Sequence, residues 1–97
     1  MIVVTGSVLA TPGTVDELLD LSLAHVRRSR TEPGCLSHAV HRDAENPLRL
    51  VFVETWADRP ALLAHFAVPE SRRFVDTATA LAAEPPAIAI YDAQPWT

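Results

Sequence analysis

CLSHAVHR (35–42), DAENP (43–47) and LRLVFVETW (48–56) are the stretch whose reading decides the fold. The two flanks are rich in β-branched and apolar residues, and the middle carries the Asp, Asn and Pro of a short connection. The segment therefore reads as an antiparallel hairpin. In its second strand both alternating sets are largely apolar, with Leu50, Phe52 and Trp56 on one face and Val51 and Val53 on the other. A sheet wetted on one side would carry polar residues in one set. Both faces are expected to be covered, one by helices. A chain of 97 residues has nothing left for the other, so a second copy is expected there.

Working outward, Ile2–Ala10 reads as a strand ending at the turn Thr11-Pro12-Gly13. Thr14 with Glu17 three residues on suggests a capping box. The helix it opens carries Val15, Leu18, Leu19 and Val26 at helical spacing and is expected to end near Arg30, before Pro33 and Gly34. After the hairpin, Asp58 reads as an N-cap with Pro60 in the first turn of a short helix through Phe66. Pro69 restarts a helix with Phe74, Ala78, Leu81 and Ala82 on one stripe, Pro85-Pro86 ends it, and Ala87–Tyr91 is the last strand. With no repeat or linker, residues 1–97 form one domain. The order β-α-β-β-α-β, with its second helix in two pieces, defines an α+β ferredoxin-like fold with an antiparallel sheet. Two such sheets face to face make a dimeric α+β barrel.

Composition narrows the chemistry. Hydrophobic residues make up 48% and charged residues 21%, which excludes disorder and collagen-like structure. A net charge of −4 leaves no basic footprint for nucleic acid. Arg27, Arg28 and Arg30, and Arg72 and Arg73, lie near acids and read as solvated helix faces. No apolar run approaches the ~18 residues of a membrane span, so no membrane partner is expected. The start Met-Ile-Val-Val carries no basic leader, and a cytoplasmic location is expected. All eight basic residues are Arg, which removes Schiff-base chemistry. Together with the high Ala content, this suggests a GC-rich bacterial genome. Cys35 is the only cysteine, so neither an intrachain disulfide nor a cysteine zinc cluster can form.

The candidate site residues are His38, Glu54 and His65. Glu54 and Trp56 alternate in phase on one strand face, and a carboxylate there would be poorly hydrated. It can serve as a base, or it can be a structural carboxylate tied to backbone amides or to an Arg. His65, late in the short helix among Ala61, Leu62 and Phe66, turns toward the sheet. If Val40 opposes Phe52 across the hairpin, His38 opposes Glu54 as a cross-strand acid–base pair. A one-residue slip sends it to the other face, and the sequence does not choose. His25, at the edge of its helix stripe, and His41, near the hairpin tip, are expected at the surface. His38 and His41 point to opposite faces and no His-x-x-x-His pair occurs, so no metal centre is expected.

Pro33-Gly34-Cys35, His38, Arg42-Asp43, Glu54-Thr-Trp56, Ala61-Leu62, His65 and Pro69 together resemble the antibiotic biosynthesis monooxygenase family. The resemblance runs over almost the whole chain. It implies a ferredoxin-like homodimer with a pocket between helices and sheet, and oxidation of a small quinol or aromatic polyketide by dioxygen without cofactor or metal. In such a reaction His65 or His38 is the base, Glu54 orients it, and Trp56, Phe52, Phe66 and Phe74 bind the aromatic substrate. A cofactor-free isomerase, cyclase or decarboxylase in the same pocket is one alternative. A non-catalytic dimeric binding or accessory domain, with its pocket closed, is another. The chain departs from the family pattern at Glu70, where a His often follows the proline, and at His38, commonly Tyr. The haem-degrading branch uses an Asn on the first strand and a Trp in the short helix. This chain has neither.

Overall fold

The computed structural model describes all residues, Met1–Thr97. The elements are β1 (Ile2–Leu9), α1 (Val15–Ser29), β2 (Cys35–Arg42), β3 (Arg49–Trp56), α2 (Arg59–Ala67), α3 (Pro69–Leu81) and β4 (Ala87–Asp92). All strand pairs are antiparallel, in the order β2-β3-β1-β4, which is the ferredoxin-like arrangement. The hairpin takes the register that sets Val40 against Phe52 and His38 against Glu54, with an irregularity only between Cys35 and Ser37. Its loop is shaped by two short polar side chains. Asp43 Oδ1 accepts from the Glu45 amide at 2.8 Å and Asn46 Oδ1 from the Leu48 amide at 3.1 Å.

All three helices lie on one face of the sheet, and the side chains of that face form two apolar clusters. Val8, Ala10, Leu18, Leu50 and Ala78 make one, and Ile2, Val4, Trp56 and Leu62 the other. Between them on β3 lies Glu54, so the core is interrupted by polar groups at the middle of the sheet. No element of the chain covers the opposite face. Val51 there is half-buried and Val53 is 39% exposed, beside exposed Tyr91.

The expected capping box does not form. Thr14 Oγ1 donates instead to the Leu81 carbonyl at 2.9 Å and accepts from the Thr11 amide at 3.0 Å. An unsatisfied carbonyl at the end of α3 competes successfully for the hydroxyl, and α1 is thereby tied to α3. Asp58 does cap α2, accepting from the Ala61 amide at 2.9 Å.

Gly34 connects the end of α1 to β2 with φ +80°. A Cβ there would stand 2.5 Å from Ala61 Cβ, so its absence lets β2 begin directly against α2. Gly34→Ala incurs both backbone strain and a collision, and is expected to lower unfolding stability by about 2 kcal/mol or more, read as a drop in the urea midpoint.

Candidate active site

α1 delivers His25 to the sheet. Seven residues is close to two helical turns, so His25 lies almost directly in line with Leu18, and Ser22, Val26 and Ser29 are buried on the same side. His25 is thus a core residue. The surface placement expected from its polarity is corrected by its angular position. Arg28 is corrected likewise: it is half-buried, and its Nη2 donates to His25 Nδ1 at 2.8 Å and to Ser71 Oγ at 2.9 Å. His41 is exposed, as expected.

Three imidazoles meet above the middle strands. His25, His38 and His65 come from α1, β2 and α2, and all three are buried. His65 Nδ1 donates to Glu32 Oε1 at 2.9 Å, so Nε2 is the ring's free acceptor. His38, 1% exposed, holds Nε2 at 3.0 Å from Glu54 Oε2. That approach falls outside hydrogen-bond alignment, and both ring nitrogens of His38 lack an aligned partner. Glu54 Oε1 accepts from the Trp56 indole N–H at 2.8 Å. Aromatic contacts fix the rings further. His25 stacks on Phe74 at 4.1 Å between centres, and Trp56 lies 4.7 Å from His65.

The electrostatics follow from this packing. Burial alone would raise the Glu54 carboxyl, but His38 beside it, the Trp56 N–H and the more distant His65 outweigh burial and hold it below its ordinary value. Burial, then His38, His65 and Arg28, lower His25 to about 3. His25 is therefore neutral at ordinary pH. Burial and the carboxylates Glu54 and Glu32 raise the Cys35 thiol, which keeps it protonated and a poor nucleophile.

A cavity of about 570 Å³ opens beside the cluster. Val4, Gly6, Val8 and Phe52 form its floor, and Phe74, Val75 and Ala78 of α3 its roof. His25, His38, Glu54 and His65 occupy its polar end, while Phe66 and Ile88 flank it. Its size suits a drug-sized ligand. Of the expected aromatic wall, Phe52, Phe66 and Phe74 line this chamber. Trp56 does not: it is fully buried behind Glu54 and acts on the site through its N–H. On the other side of His65 lies a smaller cavity of about 340 Å³, bounded by Glu32, Gly34, Ala61 and Val68. His65 borders both.

Glu54 and His65 each have protein partners, as a purely structural role requires, yet the pocket beside them is open. His25, Glu32 and Arg28 were not legible as site residues. The in-line spacing of His25 with Leu18 was the signal available for the first; Glu32 offered none beyond its place before Pro33-Gly34.

A ferredoxin-like α+β domain with a histidine–carboxylate cluster at the end of an apolar chamber is the class that fold and site define. The profile of the family described as antibiotic biosynthesis monooxygenase matches residues 1–77. The chain belongs to that family. A solved structure of an antibiotic biosynthesis monooxygenase is 32% identical with TM-score 0.89, covering 98% of this chain and 100% of its own. A candidate antibiotic biosynthesis monooxygenase of Deinococcus radiodurans is 25% identical with TM-score 0.95, covering 100% of this chain and 96% of its own. An uncharacterized Synechocystis protein, sll1783, is 37% identical over 90 residues, 93% of this chain. The match spans 61% of that relative's length.

The lowered His25 value carries a consequence for acid stability. Between pH 6.5 and about 3 the unfolded ring binds a proton that the folded ring does not. Its contribution to stability is complete above pH 6.5 and is lost as pH falls toward 3. Urea midpoints followed over that range are expected to fall more steeply for the native chain than for His25→Gln, which has no ring to titrate.

Proposed function

We propose that the protein oxidises a small quinol or phenolic polyketide with dioxygen in the 570 Å³ chamber, without an organic cofactor, and works as a homodimer. The observation that carries this reading is the free Nε2 of His65 at the polar end of a mainly apolar cavity. Dioxygen reacts slowly with closed-shell organic molecules, but a deprotonated quinol or anthrone is a ready electron donor. The protein's tasks are then to take a proton, exclude water and hold the anion.

His65 Nε2 accepts the substrate proton. Glu32, hydrogen-bonded at Nδ1 and 15% exposed in its side chain, fixes the ring's tautomer and stabilises the imidazolium that forms. Glu54, held ionised by His38 and Trp56, keeps His38 in place beside the chamber. Phe52 and Phe74 offer faces to an aromatic substrate. One oxygen atom enters the product and the other leaves as water, and the substrate supplies all the electrons: a quinol becomes a hydroxyquinone, an anthrone an anthraquinone. The bare sheet face with Val51, Val53 and Tyr91 is the surface offered to a second copy.

Oxygen uptake with a panel of quinols and anthrones tests the activity. His65→Ala is expected to reduce turnover by about 10²–10⁴-fold while leaving the oligomeric state unchanged. Unchanged turnover removes His65 from the mechanism. Product formed equally well without oxygen supports the isomerase or cyclase alternative instead. In sedimentation, the native chain is expected as a dimer and Val53→Glu as a monomer.

A further inference from the structure

The structure brings together three histidines that sequence spacing keeps far apart, and we infer that His25, His38 and His65 form a binding site for a divalent transition-metal cation of the zinc class. Their ligand nitrogens lie within 4.8 Å of one another, and all three side chains are buried. Ring geometry sharpens the point. Imidazoles bound tetrahedrally through nitrogens about 2.0–2.1 Å from a metal have ring centres roughly 5 Å apart. Those of His25 and His38 stand 5.2 Å apart, His25 and His65 5.4 Å, and His38 and His65 5.6 Å. The rings need only turn about their own axes for the nitrogens to converge. Their centres are already placed.

The surroundings have the pattern of a metal site's outer shell. A ligating histidine ordinarily gives its second nitrogen to a carboxylate, which fixes the ring. His65 does so at Nδ1 with Glu32, leaving Nε2 free for the cation. His38 sets Nε2 against Glu54 Oε2, and its buried nitrogens have no other partner. The carboxylates Glu32 and Glu54 stand directly at the rings, while the guanidiniums of Arg28 and Arg30 meet the cluster at Glu32 Oε2 (3.9 Å) and at the His38 backbone carbonyl (2.8 Å). Imidazole ligands backed by carboxylates suit zinc and its neighbours rather than magnesium or calcium, which take oxygen ligands.

Arg28 is the element that must give way. A guanidinium only donates, so while His25 Nδ1 accepts from it, that ring carries its hydrogen on Nε2. Coordination through Nε2 moves the hydrogen to Nδ1 and releases Arg28, which retains Ser71 Oγ at 2.9 Å and Glu32 Oε2 at 3.9 Å. A bound cation also occupies the lone pair that the proposed oxygenation uses at His65, and would act as an inhibitor of that reaction.

The site is tested without substrate, so its outcome is independent of the oxygenase reading. Zn²⁺ titrated calorimetrically into the EDTA-treated, dialysed chain is expected to bind at one equivalent per chain. His25→Ala is expected to weaken that binding at least about tenfold, and His41→Ala, at the exposed histidine, to leave it unchanged. Absence of binding, or equal binding by His25→Ala, overturns the proposal. Imidazole ¹⁵N resonances of the native chain give a second reading that needs no variant. Zn²⁺ is expected to shift the rings of His25, His38 and His65 and not that of His41. A shift confined to His41, or none, overturns it.

Discussion

A carboxylate placed in the middle of a core is costly unless its charge is met at once, and Glu54 sets that condition for the rest of this molecule. It sits on the central strand β3 between two apolar clusters; the Trp56 indole N–H donates to one of its oxygens, and the His38 imidazole stands 3.0 Å from the other. That arrangement depends on strand register. Sliding β2 by one residue would present Ser37 or Ala39 to Glu54 and send His38 to the bare face of the sheet. Specifying the register also specifies where the imidazole stands, so the constraint that stabilises the hairpin is the one that builds the site.

The helices answer the same demand. α1 contributes a stripe in which Ser22, His25 and Ser29 are as buried as Leu18 and Val26. Ser29 satisfies itself on the His25 carbonyl at 2.8 Å, and Arg28 reaches inward to His25 and Ser71. A polar stripe of this kind would destabilise a helix packed on a purely apolar sheet. Here His25 of that stripe meets the rings of His38 and His65, while Ser29 is satisfied within α1 and Ser22 Oγ is left without a hydrogen-bond partner.

The strand and helix order was legible in the sequence because punctuation and periodicity agreed: Pro12-Gly13, Pro33-Gly34, Asp58-Arg59-Pro60 and Pro85-Pro86 each fall where one element gives way to the next. His65 and Glu54 were legible because apolar neighbours surround them at the right spacing. The polarity of His25 points to the surface, but seven residues after Leu18 its angle on α1 turns it to the core. The capping box at Thr14 failed for a different reason. Its hydroxyl was claimed by Leu81, 67 residues away, and local sequence carries no mark of such a competitor. Glu32 and Arg28 belong to the same category, since their roles exist only once α2 and α3 have docked.

His65 borders both the larger chamber and the smaller cavity on the Glu32 side. The partition between these two spaces includes an imidazole whose opposite nitrogens look different ways. A hydron taken up on the ring's chamber edge can be given up on its Glu32 edge, so one side chain links the two spaces by acid–base exchange.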